Sequence, residues 1–245
     1  MDRSIPAAEV SEQRTRALRL LRRPWAMLAV FVAAGLLAYS PALNGELIWD
    51  DQYLVGQNPF FKSPVFALEV FRHYLFFDSF STYYRPVQNL SYMVDYWLWA
   101  GNPFGYHLTN ILLHTASGYL LFRVLRRLLA GLLDGTNATD GSNAVTRDAG
   151  AFFISLIWTV HPVHNAAVAY ISGRADSLAS QFALAAWLLA WRAREVNRSW
   201  KRVGVSAAAG LLLLLALCSK EIALMWLVLF LLHLFIFEKD RKSVV

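Results

Sequence analysis

Residues 25–43 read WAMLAVFVAAGLLAYSPAL, a run without a single charged side chain. At 1.5 Å per residue a helix over it is ~28 Å long, close to the ~30 Å hydrocarbon thickness of a bilayer. Six arginines precede the run, as at the start of a signal sequence. The run is longer than a signal core, however, and Asn44-Gly45-Glu46 behind it offers no small-x-small cleavage site. It reads as a retained signal anchor and the first span of a membrane protein.

The whole composition agrees with that reading. Of 245 residues 57% are hydrophobic and 14% aromatic, and only 16% are charged, against about 25% charged in soluble domains. The apolar residues fall in blocks divided by charged stretches, which is the pattern of an all-α, polytopic membrane helical bundle. The net charge of +6 sits in short clusters beside those blocks rather than along one soluble face, so it marks topology and not nucleic-acid binding. The single cysteine, Cys218, excludes a disulfide framework or a cysteine metal site within this chain.

Further spans are expected over 106–125, 149–160, 177–191, 203–217 and 222–237, giving about six transmembrane helices. The first loop, 44–103, is long, aromatic and proline-rich, and its stretch 87–100 holds Asn89 and Asp95 among apolar residues. That stretch reads as an interfacial helix lying along the membrane surface. Residues 126–148 form a linker whose Gly, Asn, Thr and Asp-rich part, 133–147, lacks any hydrophobic period and is expected to be a flexible loop. A non-helical or surface-lying piece follows His161-Pro162 as far as Tyr170. The chain thus divides into a basic N-terminus (1–24), one membrane domain (25–237) and a basic tail (238–245).

Positive charge sets the orientation. With the N-terminus cytoplasmic, eighteen of the 23 Lys and Arg residues fall on cytoplasmic segments. Only Lys62, Arg72, Arg85, Arg174 and Lys220 face the other side, as the positive-inside rule requires. The Asn137-Ala138-Thr139 and Asn197-Arg198-Ser199 sequons are then cytoplasmic, and Asn89-Leu90-Ser91 is outside and membrane-associated.

The same topology gathers the chemistry-bearing residues in one extracytoplasmic compartment, where ionisable groups at the membrane boundary tend to sit in a cavity with partners. Asp50 and Asp51 are adjacent carboxylates at the mouth of a span, able to act as a general base and its neighbour, or simply as two solvated loop acids. Arg85, Arg174 and Lys220 could grip a lipid phosphate, or pair instead with acids such as Asp176 and Glu221. His161 and His164 are spaced for one side of a helical turn, although Pro162 between them favours a structural cap over a metal site. His107, Asn110 and His114 share a helix face and read as packing groups between spans. A Gly-rich phosphate loop, a nucleophilic serine motif and a nucleotide fingerprint are all missing from the sequence.

The order Ile48-Trp49-Asp50-Asp51, Tyr84-Arg85-Pro86-Val87, and Asn102-Pro103-Phe104-Gly105-Tyr106-His107-Leu108-Thr109-Asn110-Ile111-Leu112-Leu113-His114 resembles the GT-C glycosyltransferases. The later blocks His161-Pro162-Val163-His164, Gly173-Arg174-Ala175-Asp176 and Cys218-Ser219-Lys220-Glu221 are similar to the membrane half of the transmembrane and tetratricopeptide-repeat (TMTC-type) O-mannosyltransferases and their bacterial relatives. The resemblance runs from Leu47 to about Leu224. It implies an inverting membrane enzyme that moves a sugar, mannose in this family, from a polyprenyl-phosphate carrier to an acceptor hydroxyl on a protein or glycan at the extracytoplasmic face.

By that resemblance Asp50 or Asp51 is the base, Arg85, Arg174 and Lys220 hold the carrier phosphate, and His161, His164, Asp176 and Glu221 support the site. No cofactor is required, and a role for a divalent metal stays open. A bacterial inner membrane is the expected location, rather than the endoplasmic reticulum. Such relatives continue into more spans and then repeats of about 34 residues, whereas this sequence stops at Val245 with no such repeat. A fragment, or a non-catalytic membrane subunit completed by a second membrane chain, is therefore the alternative expectation. A transporter ranks below both, since no inverted repeats are visible.

Overall fold

The computed structural model describes residues 23–76, 82–133 and 141–237, and these are helical with no strand among them. The long helices are α1 (Pro24–Tyr39), α2 (Pro86–Trp99), α3 (Pro103–Leu133), α4 (Gly141–Val160), α6 (Arg174–Glu195), α7 (Ser199–Leu217) and α8 (Ala223–Phe237), with a one-turn α5 (Asn165–Val168) between α4 and α6. Proline opens α1, α2 and α3, a position where its missing N–H costs nothing and its fixed φ suits the first turn.

α1, α3 and α4 meet around Phe31, which is wholly buried against Tyr119, Phe122 and Phe152. The contact between α1 and α3 is close: a Cβ on Gly35 would lie 2.1 Å from Thr115 Cγ2, so glycine there sets the spacing of the two helices, as small residues do between membrane helices. α3 packs on α6 through Val124, Leu184, Trp187 and Trp191. Alanines 179, 183, 216 and 223 then bring α6, α7 and α8 together.

The outward faces are apolar. Leu37, Ile157, Val203, Leu211 and Phe235 are all more than half exposed, a surface that water would penalise and lipid accepts. α1 with the turn after it (Pro24–Asn44) and α7 are each long and apolar enough to cross a bilayer, and 144–160 joined to 162–168 across a 46° bend makes a third. The chain is a membrane protein. The other three expected spans do not meet that measure: α3 and α6 carry buried polar and charged groups, and α8 has 15 residues.

The expected linker is shorter than its composition suggested. α3 continues to Leu133 and α4 begins at Gly141, and an ion pair of Arg126 with Asp148 joins the two helices near these ends. Its centre, 134–140, including the Asn137 sequon, lies outside the described residues, as do the N-terminal 1–22 and the tail 238–245.

The first loop folds as single helical turns, Gln52–Gly56, Pro59–Lys62, Pro64–Ala67 and Glu69–Phe71. They collapse on α2 and the start of α3 through Leu54, Val55, Phe61, Val70, Tyr92 and Tyr106, with Ile171 closing the cluster. This second core ties the loop to the 161–173 segment and so positions the site.

Candidate active site

The Asp50-Asp51 pair follows a strained residue. Trp49 has φ 47°, a left-handed conformation that costs a bulky side chain of order 1 kcal/mol or more and persists only when its surroundings hold it. The turn sends the two acids apart. Asp50 is exposed and its N–H donates to the Tyr170 hydroxyl at 3.3 Å. Asp51 is completely buried; its Oδ1 accepts from the Ser172 N–H at 2.8 Å and its Oδ2 from the Ile171 N–H at 3.3 Å. Burial raises the Asp51 carboxyl from 3.8 to about 6 despite those two bonds.

Asn110 holds the same segment from the other side. Its amide donates to the carbonyls of Val168, Tyr170 and Ile171 at 3.2, 3.0 and 3.3 Å. The segment then turns into α6 at Gly173, where a Cβ would sit 2.1 Å from the Ala166 carbonyl oxygen. Only glycine fits there.

Arg174, expected with Arg85 and Lys220 to grip a lipid phosphate or to pair with an acid, is enclosed by protein. It is the largest fully buried side chain in the described residues. Nε donates to Asn110 Oδ1 at 2.9 Å, Nη2 to Asp95 Oδ2 at 2.5 Å and to the Tyr106 carbonyl at 3.2 Å, and Nη1 to the Ser91 carbonyl and hydroxyl at 3.3 Å. Its guanidinium lies 4.6 Å from the Tyr92 ring centre. A planar fork suits such a site because it satisfies several acceptors at once, and a buried charge needs all of them.

Lys220 and Arg85 are the cations that remain near the surface. Lys220 Nζ donates to both oxygens of Asp176 at 2.8 Å. Arg85 forks onto Glu221 at 2.7 and 3.2 Å, stacks 4.7 Å from the Tyr83 ring centre, and holds the Glu221 carboxyl below its ordinary range. The turn after α7 places Lys220 and Glu221 side by side, and the Val87 N–H reaches the Cys218 carbonyl at 3.2 Å to bring α2 alongside.

His161 serves its own turn: its Nδ1 accepts from the Val163 N–H at 3.2 Å, and its carbonyl accepts from Tyr39 at 3.0 Å. His164 packs in a ring cluster with Trp158 and His114, 4.3 and 5.0 Å between centroids, within electrostatic reach of Asp176. No group of three or more His, Cys, Asp or Glu side chains among the described residues is arranged to hold a metal ion.

All nine expected site residues therefore lie at one end of the bundle, linked through 170–176 and 218–221. Asp95, Ser91 and Asn110 join them, of which the sequence reading assigns Asp95 to an interfacial helix, Ser91 to a sequon and Asn110 to packing between spans. The available signal was Asp95 itself, since an acid within an apolar aromatic stretch demands a buried partner. Asn89 is also fully buried and Ser91 is part of the Arg174 network, which leaves that sequon no accessible amide.

The chain is 31% identical to a protein O-mannosyl-transferase of Caenorhabditis elegans over 203 residues, 81% of this chain and 26% of the relative. It is 30% identical to protein O-mannosyl-transferase TMTC4 of Mus musculus over 67% of this chain and 22% of the relative. A third relative, protein O-mannosyl-transferase Tmtc3 of Drosophila melanogaster, is 42% identical over 43% of this chain and 12% of its own length. The chain is homologous to the TMTC-type protein O-mannosyltransferases. It spans about a quarter or less of the length of these TMTC-type relatives. No protein-family model and no solved structure matches it.

Proposed function

We propose that this chain is the sugar-transferring membrane portion of a TMTC-type glycosyltransferase, with six spans, a cytoplasmic N-terminus and its site on the extracytoplasmic face. The donor is a polyprenyl-phosphate sugar, mannose by homology, and the acceptor is a protein hydroxyl. The observation that carries the proposal is the convergence of an exposed carboxylate, Asp50, with two near-surface cations, Arg85 and Lys220, at one end of an apolar bundle.

In the transfer, the acceptor oxygen bonds to the anomeric carbon as the carbon–oxygen bond to the carrier phosphate breaks, with inversion. Asp50 takes the hydroxyl proton, a role that its exposure permits. Arg85 and Lys220 stabilise the charge gathering on the departing phosphate. Asp176 and Glu221 keep these cations in place before the carrier arrives. Asp51 and Arg174 act through the backbone: one carboxylate and one guanidinium brace 168–176 from opposite sides, and neither is open to a substrate. His161 and His164 shape the adjoining wall.

The test is binding of radiolabelled polyprenyl-phosphate mannose to the purified chain in lipid nanodiscs. Removing one charge-assisted contact costs about 1.5–3 kcal/mol, so Lys220→Ala should weaken binding by roughly ten- to a hundredfold. Wild-type protein that binds no carrier, or a variant that binds as tightly as wild type, would overturn the assignment.

A further inference from the structure

Trp49 carries a ring that the fold does not use. It is 81% exposed, although an indole offers about 150–250 Å² of surface for burial. It also stands at φ 47°, where glycine fits without strain and asparagine with little. Either residue would build the same turn, exposing Asp50 and burying Asp51, at lower cost to the fold. The indole is therefore placed there for a contact outside the chain.

The backbone beside it is fixed. The Trp49 carbonyl accepts from the Gln52 N–H at 3.1 Å, and the Asp50 N–H donates to the Tyr170 hydroxyl at 3.3 Å. Both polar groups of the peptide unit between Trp49 and Asp50 are thus engaged. Trp25, Trp97 and Trp200 are exposed as well, but they lie on α1, α2 and α7 without a left-handed backbone, as aromatic anchors at a membrane boundary do. An anchor needs neither a strained turn nor a base for a neighbour.

We propose, on the sugar-transfer reading above, that Trp49 binds the acceptor: its ring is the platform on which an extended, hydroxyl-bearing peptide segment lies while Asp50 takes the hydroxyl proton. The direction of attack selects the acceptor over the donor. In an inverting transfer the acceptor oxygen and the departing phosphate occupy opposite faces of the anomeric carbon. The base belongs to the acceptor's face, and the cations Arg85 and Lys220 belong to the phosphate's. Trp49, one residue from the base, is on the acceptor's side. A tryptophan on a fixed backbone offers broad apolar contact at small entropic cost, and Ile48 before it is half exposed and adds apolar surface. Such a platform suits an apolar residue or a proline next to the hydroxyl.

The probe is a fluorescein-labelled peptide with one threonine between proline and valine, its anisotropy followed against the purified chain in nanodiscs and in detergent micelles. Trp49→Gly should weaken the peptide about tenfold or more in both settings. Radiolabelled polyprenyl-phosphate mannose should bind that variant as it binds wild type, and the melting temperature should stay level or rise, since glycine relieves the left-handed turn. Trp49→Phe keeps an aromatic face and should retain most of the affinity. Equal peptide affinity in wild type and Trp49→Gly, or no peptide binding by wild type, would overturn the proposal. A loss confined to nanodiscs would overturn it by making Trp49 a membrane anchor, and a lower melting temperature with carrier and peptide binding lost together would do so by making the ring a support of the fold. Wild type that binds the peptide through Trp49 but binds no carrier would instead sink the donor reading and support this contact.

Discussion

Replacing Asp51 with asparagine isolates what burial of this carboxylate costs the fold. Its folded value of about 6 lies above the ordinary 3.8, so between those limits the folded chain binds a proton that the unfolded chain does not. Stability from this group is complete below about pH 3.8, falls as pH rises, and is gone above about 6. At 1.36 kcal/mol per pH unit the swing is about 3 kcal/mol. Asparagine keeps the shape and does not titrate, so other groups cancel when the two proteins are compared. The advantage of wild type over Asp51→Asn should shrink by about 3 kcal/mol between pH 4 and pH 7, or roughly 6–12 °C in melting temperature for a chain of this size. Thermal unfolding of both proteins in the same micelles across that range reads it. A difference flat in pH would show that the Ser172 and Ile171 N–H groups balance desolvation, and one that grows with pH that they outweigh it; either contradicts a carboxyl raised by burial.

Arg174→Lys removes the fork and leaves Asp95 and Asn110 short of partners inside the bundle. It should destabilise by about 3–5 kcal/mol, checked by urea unfolding, with Arg85→Lys far milder because its partner Glu221 is open to solvent. Gly173→Ala drives a Cβ onto the Ala166 carbonyl and should disorder the 161–173 segment, seen as faster amide exchange there while α1 and α7 stay protected. Glu221→Gln loosens Arg85 without removing a cation, so carrier binding should hold within about threefold while Lys220→Ala loses tenfold or more in the same nanodisc assay.

The helices were largely legible because their signals are local: an uncharged run for α1, prolines at the starts of α2 and α3, and Pro162 breaking the chain after α4. The ends of α3 and α4 were hidden because they run into a polar stretch with no hydrophobic period, and the pair that joins the two helices there, Arg126 with Asp148, links residues 22 apart in sequence. At the site, the order of motifs marked residues that the fold gathers at one end of the bundle, but not their partners. Arg174 and Asp176 are near neighbours in sequence on one helix, yet the first turns inward to Asp95 and the second outward to Lys220. Such a crossing depends on which face of α6 meets α2 and α3, and that is set by packing far away in the chain. Asp50 and Asp51 looked equivalent for the same reason, until the turn at Trp49 exposed one and buried the other.

Sugar transfer itself is the decisive assay: radiolabelled mannose moved from a polyprenyl-phosphate carrier to a hydroxyl-bearing peptide by the purified chain in nanodiscs, wild type against Asp50→Asn. Loss of a general base costs about a hundredfold to ten-thousandfold, so wild type should turn over, Asp50→Asn should fall by at least a hundredfold, and carrier binding should be unchanged in the variant. Asp50→Asn transferring at the wild-type rate, or wild type binding the carrier without transferring its sugar, would contradict the proposed function.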